Sequence, residues 1–170
     1  MPPVSNAGPL LVLAKLNALY LLKLLYGRVH VPSSVYSEVV VQGMRQGYED
    51  ARTLQIFLEQ VQWFTEDVDE ANIPATLRTA TLDRGERDAL VLAASLRTTV
   101  LMDETAGRKV ARELGVPVRG SLGILIEAFR KNIITADQLR IYFAEIARRH
   151  DVWISPALVR RLEQELFGGE

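Results

Sequence analysis

Asp103 and Glu104 close a short apolar run, Val100-Leu101-Met102, and Arg108, Lys109 and Arg112 follow in a helical pattern. Carboxylates at the C-terminal end of a strand, with bases one turn further on, suit hydrolysis in the crevice of a parallel α/β sheet. Other oxygen-bearing residues occupy comparable places: Asn6 after Pro3-Val4-Ser5, Glu38 one turn into a helix, and Glu86 and Asp88 at the start of another. Three or four carboxylates around one crevice cannot all stay ionised without a cation. Hard oxygen donors with no thiolate or imidazole among them point to Mg²⁺ or Mn²⁺. Two such ions roughly 4 Å apart activate a water and stabilise the leaving oxygen in phosphodiester cleavage. The acids in such a scheme are ligands.

Each of these residues also has a purely structural use. Glu38 suits the positive end of a helix dipole. Asp83 and Glu86, three apart, fit a capping box. Asp103 can end its strand and Glu104 can cap the next helix. Asp88 borders the apolar run Ala89-Leu90-Val91-Leu92-Ala93-Ala94, an environment in which a free carboxylate is less expected. Arg108 and Arg112 are an i,i+4 pair, suited to holding phosphate near the crevice or to pairing with acids. His30, between Val29 and Val31, reads as structural. Trp63 and Trp153 read as core or interface residues rather than base-stacking platforms.

These side chains must be positioned by elements, and the chain supplies them. Residues 3–5 read as a short strand, 10–16 and 18–25 as buried helices with Pro9 in a first turn, and 28–31 as a second strand. A helix runs from Ser33 or Ser34 to about Gln42, with Gly43 closing it, and another covers 47–60. Residues 61–65 are a strand candidate, and 66–79 read as a loop with at most one helical turn. Then come a helix over 83–96, a strand over 100–103, a helix over 104–114 ended by Gly115, and a strand over 116–118. From Ser121 the pattern is helical only. The helices cover 121–131, 135–149, opened by Thr135 and Gln138 as a capping box, and 156–166, opened by Ser155-Pro156. Strands alternating with helices predict a short parallel sheet of four or five strands with helices on both faces. Strand C-terminal ends then gather on one edge, which brings Asn6 near Asp103 and Glu104.

The chain has 170 residues, 48% of them hydrophobic and 24% charged, which is enough for one domain with a core. The absence of cysteine excludes disulfides, zinc–thiolate sites and thiol catalysis, and two histidines exclude a histidine-rich metal site. A net charge of −1 advertises no global basic field. The charge is uneven: residues 59–70 hold five acids and no base, whereas residues 119–161 hold eight bases against four acids. No stretch reaches the roughly 18 apolar residues of a membrane span, and the apolar residues 9–25 lack the features of a signal peptide, so no membrane partner and a cytoplasmic location are expected. No dinucleotide or P-loop glycine motif occurs, and no D-x-D-x-T follows the first strand, which argues against a nucleotide binder or a phosphatase of that kind.

Four stretches in order, VSNAGPLLVLAKL, VPSSVYSEVV, LDRGERDALVLAASL and VLMDETAGRKVARELG, resemble the PIN-domain superfamily, in particular its stand-alone prokaryotic, VapC-like group. The resemblance covers about residues 4–130, and the helical tail from about 131 to 170 also fits that group. It implies a three-layer α/β/α PIN-like fold with a C-terminal helical extension, all within a single domain over 1–170. It also implies a Mg²⁺- or Mn²⁺-dependent endoribonuclease. Relatives of this kind include toxins held by a small antitoxin, so RNA and an antitoxin are the implied partners. The amphipathic helices of residues 133–167 offer a surface to a second copy of the chain or to an antitoxin, or else complete the core. Transferred residue by residue, the family's first acid falls on Asn6, its second on Glu38, its third on Asp88 with a neighbouring acid at Glu86, and its fourth on Asp103 or Glu104. The resemblance thus makes Glu38, Asp88 and Asp103 the expected catalytic residues and Asn6, Glu38, Glu86, Asp88, Asp103 and Glu104 the expected metal set, and the pair Arg108 and Arg112 is the candidate contact to RNA. The departure is Asn6, which stands where the family carries its first acid. An amide oxygen ligates a hard cation but brings no charge, so a catalytically weakened RNA- or protein-binding module is the alternative. Ala7-Gly8, where hydroxyl residues are usual, is a second and milder departure.

Overall fold

The computed structural model describes residues 1–63, 65–79 and 81–168. These fall into two compact units, divided between Ser121 and Leu122.

The first unit opens with β1 (Val4–Ser5), α1 (Ala7–Lys15), α2 (Tyr20–Tyr26) and β2 (Val31–Pro32). The helix expected from residue 10 starts earlier, at Ala7, and Pro9 falls in its first turn, where a missing N–H costs nothing. A continuous helical run follows. It begins as α3 (Ser33–Tyr36), widens to a π-helix over Ser37–Gln42, and returns to α-helix as α4 (Gly43–Arg45). Gly43 therefore does not end this helix, as the sequence suggested. A methyl group there would lie 2.8 Å from the Ala51 Cβ, so the glycine is needed for close packing against α5 (Glu49–Val61). The run ends instead at Gly47, in the left-handed region at φ 76°.

Next come β3 (Thr65–Glu66), a 3₁₀ turn (Glu70–Asn72), α6 (Ala75–Thr79), α7 (Arg84–Leu96), β4 (Val100–Leu101), α8 (Thr105–Glu113) and β5 (Val118–Arg119). Of the strand expected over 61–65, Phe64 lies outside the described residues. The stretch read as a loop thus contains two short helical turns, the first capped by Asp69 accepting from the Ala71 N–H. The capping box at Asp83 and Glu86 forms: Asp83 Oδ1 accepts from the Glu86 N–H at 2.8 Å, and Glu86 Oε2 accepts from the Asp83 N–H at 3.1 Å.

All strand pairs are parallel: β1 with β4, β4 with β5, and β2 with β3. A parallel bridge between Val4 and His30 joins β1 to the β2 side. There Ser5 N donates to His30 O and His30 N donates to Pro3 O, each at 2.9 Å. The spatial order is therefore β3-β2-β1-β4-β5, and the direction of winding reverses between β1 and β4. Helices cover this short sheet in a three-layer α/β/α arrangement. α7 packs on β1, β2 and β4, and α8 packs on β5. Val4, Leu90, Ala93, Val100, Met102 and Ala111 form one buried cluster between them. α1 packs on α5 and on the π-helical segment, with Leu10, Leu13 and Leu54 fully buried.

α9 (Ser121–Arg130) leads into the second unit, which is completed by α10 (Ala136–Arg148) and α11 (Pro156–Phe167). The capping box at Thr135 and Gln138 and the Ser155 cap both form. Leu139, Phe143 and Ile146 are buried, Phe129 meets Phe167 edge to face at 5.6 Å, and the Arg140 guanidinium lies over the Phe167 ring. Trp153, read as core or interface, is 94% exposed and so is no part of a core, whereas Trp63 is buried edge-on against Phe57. Among the described residues no helix is long and apolar enough to cross a membrane.

Candidate active site

Ligands of open parallel sheets bind outside the strand C-termini where the winding reverses. Here that place lies beyond β1 and β4, and the residues leaving those strands are Asn6 and the pair Asp103 and Glu104. Three residues at this edge are N-caps: Asn6 of α1, Asp83 of α7 and Glu104 of α8. The positive end of a helix dipole favours nearby negative charge by about 0.5 kcal/mol.

Asparagine at an N-cap ordinarily accepts a hydrogen bond from its own helix. Asn6 does not. Its side chain turns across the edge, and Nδ2 donates to Glu104 Oε2 at 3.1 Å. The residue is 2% exposed, and its Oδ1 is buried with no hydrogen-bond partner. A buried acceptor left unpaired costs about 1–3 kcal/mol, so this oxygen is a donor atom in want of a partner.

Gly85 and Gly8 keep the space around these oxygens open. A methyl group on Gly85 would lie 3.2 Å from Glu38 Oε2 and 3.5 Å from Asn6 Oδ1. One on Gly8 would lie 3.1 Å from Glu104 Oε1 and 3.3 Å from Asp103 Oδ2. Glu38 is brought to this edge by the helix after β2, at the second residue of the π-helical stretch. π-Helical turns recur at functional sites, where they re-aim one side chain within an otherwise regular helix.

The acids repel one another. Glu38, exposed as a residue, has its pKa raised above 4.5 by the partial desolvation of its carboxylate and by the charges of Asp83, Glu104 and Glu86. Glu86, 8% exposed, is likewise raised by burial and by the charges of Asp83 and Glu104, with the hydrogen bond from the Asp83 N–H opposing. The charges that raise Glu38 all come from acids, Asp83 among them. Asp83 therefore belongs to the cluster, although its role in the capping box gave the sequence a complete reason for its presence.

Asp88 and Asp103 are each held by hydrogen bonds from neighbouring side chains. Asp88 is buried, with Oδ2 accepting from the Ser34 hydroxyl at 2.6 Å and Oδ1 accepting from Arg87 Nε and Nη2 at 3.2 and 3.1 Å. Glu86 and Asp88 are two residues apart on one α-helix, about 200° around its axis, and do not face the same way. Asp103 accepts from both the N–H and the hydroxyl of Ser121, at 2.7 and 2.6 Å. Burial raises the Asp103 pKa above 3.8, against the lowering influence of Ser121 and Arg108. Arg108 Nη1 donates to the Met102 carbonyl at 3.0 Å, and Arg112 is exposed one turn further along α8.

The donor set of Glu38, Glu86, Glu104 and the unpartnered Asn6 Oδ1 consists of hard oxygens only, which fits Mg²⁺ or Mn²⁺ and no softer ion. Among the described residues no three acidic or histidine side chains are gathered tightly enough to enclose an ion. A family model described as PIN domain matches residues 2–166. No curated protein matches the chain.

Proposed function

The chain belongs to the PIN-domain family, a fold of the nuclease type, and from that membership we propose that it is a Mg²⁺- or Mn²⁺-dependent endoribonuclease. The observation that carries the proposal is the uncompensated acid cluster beyond β1 and β4, with a buried, unpartnered amide oxygen aimed into it. Glu38, Glu86 and Glu104 would hold the cation, with Asn6 Oδ1 as a neutral ligand. The bound ion supplies an activated water and neutralises charge on the cleaved phosphodiester. The chain's own residues do the positioning. Asn6 Nδ2 fixes one oxygen of Glu104, and the Asp83 N–H fixes Oε2 of Glu86. Each of these carboxylates thus has one oxygen already oriented by the protein. Asp103, tied to Ser121, holds the turn from which Glu104 projects. Arg112, exposed on α8, is available to an RNA phosphate, whereas Arg108 spends a guanidinium N–H on the Met102 carbonyl.

The test is cleavage of a labelled single-stranded RNA by purified protein, with Mn²⁺ and with a chelator. Mn²⁺-dependent cleavage is expected, reduced about a hundredfold or more in Glu86→Gln and in Glu104→Gln. Cleavage that persists in chelator, or in the double variant prepared in the same way, refutes the proposal. A second reading, a weakened module that binds RNA without cutting it, is favoured by Asn6 itself, which replaces a charge by a hydrogen bond to Glu104. Binding of RNA without cleavage in Mn²⁺ would select it.

A further inference from the structure

Two sets of acids lie on either side of the first turn of α7, and they differ in charge balance. On one side are Glu38, Asp83, Glu86 and Glu104, whose mutual interactions are repulsive. On the other side is Asp88, in a closed network. Its Oδ1 receives Arg87, whose Nη2 also donates to Glu70 Oε1 at 2.8 Å, and Arg84 Nε lies 3.7 Å from its Oδ2. Asp88 and Glu70 are matched by Arg84 and Arg87, two acids by two bases. A buried carboxylate paired in this way has no need of a cation.

The remaining bond of Asp88 goes to Ser34. Ser34 lies four residues before Glu38 in the helical run 33–45, and Asp88 lies two residues after Glu86 in α7. The Ser34–Asp88 bond therefore joins the helix that carries Glu38 to the helix that carries Glu86, one turn from the first acid and half a turn from the second. From this geometry we infer that Asp88 is not a ligand of the cation. It is a positioning residue that fixes the spacing of Glu38 and Glu86 through the Ser34 hydroxyl. The inference rests on the cation-site reading proposed above.

Mn²⁺ is titrated calorimetrically into the wild type, Ser34→Ala, Asp88→Ala, Asp88→Asn and Glu86→Gln, and the metal-free proteins are melted together with the Ser34→Ala/Asp88→Ala double variant. Ser34→Ala and Asp88→Ala should each weaken Mn²⁺ binding about tenfold, the scale of outer-shell partners of metal ligands. Asp88→Asn keeps an oxygen that accepts from Ser34 and should restore most of that affinity, whereas Glu86→Gln should lose far more. In the metal-free melts the double variant should lose less stability than the sum of the two single losses, because both remove one bond. Asp88→Asn binding Mn²⁺ as poorly as Glu86→Gln would make Asp88 a ligand and overturn the inference. Additive melting shifts overturn it too. If the wild type takes up no Mn²⁺, the cation reading falls, and the melting cycle still decides whether the Ser34–Asp88 bond ties the helices.

Discussion

Asn6 carries most of the chemistry that is particular to this chain. As an N-cap it gives up the hydrogen bond to its own helix, donates to Glu104 and leaves its Oδ1 buried and unpaired. An aspartate here would lose the donor and add a fifth repelling charge beside Glu38, Asp83, Glu86 and Glu104. Asn6→Asp is therefore expected to lower the metal-free melting temperature by a few degrees. It should also tighten Mn²⁺ binding about tenfold, ~1.4 kcal/mol. Thermal melts with and without Mn²⁺ check both, and unchanged values in both would remove Asn6 from the site. At this scale the sequence was informative about place and less so about identity. The edge residues Asn6, Glu38, Glu86 and Glu104 follow from strand ends and helix starts. The choices between Glu86 and Asp88, and between Asp103 and Glu104, turn on one or two residues of rotation and on partners distant in sequence, Ser34 and Ser121. Asp83 stayed hidden because its capping role already explained it.

Among the elements, the start of α7 does two jobs. Its capping box satisfies backbone N–H groups and at the same time orients Glu86, while the cap residue adds a charge that opposes the ionisation of Glu38 and Glu86. Asp83→Ala should cost about 1 kcal/mol in chemical denaturation through loss of the cap. Asp83→Ser keeps a cap oxygen and removes the charge, so it should be more stable than Asp83→Ala. Equal stabilities would mean that the cap oxygen contributes nothing. The helix carrying Glu38 shows what pattern reading misses. Its glycine at 43 looked like a stop signal and is instead a packing position against Ala51. The π-helical turn, which packs on α1 and α5, has no counterpart in the sequence pattern.

For the whole molecule, strand order decides where chemistry is placed. The alternation of strands and helices was legible in the sequence. The order β3-β2-β1-β4-β5, which brings residue 6 beside residues 103 and 104, rests on the pairing of β1 with β4 and of Val4 with His30, contacts between residues distant in sequence. Gathering acids at that edge has a consequence for stability. Glu38 and Glu86 have pKa values raised above 4.5, and Asp103 above 3.8, with burial the leading cause in each. Groups whose folded pKa exceeds the unfolded value contribute stability that is fully present below the unfolded pKa and lost as pH rises through the folded one. Metal-free wild type should therefore lose stability, relative to a Glu38→Gln/Glu86→Gln variant, as pH climbs from about 4.5 through those raised values. Melting curves across that range check this, and saturating Mn²⁺ should cancel the loss in the wild type alone. Asn6, Glu38, Glu86 and Glu104 are proposed to hold a divalent cation together. The most direct measurement is Mn²⁺ binding followed by electron paramagnetic resonance of the free ion, in the wild type, Glu38→Gln and Glu104→Gln. Uptake by the wild type that is largely lost in both variants is the predicted result. No uptake by the wild type, or undiminished uptake by both variants, would contradict the account.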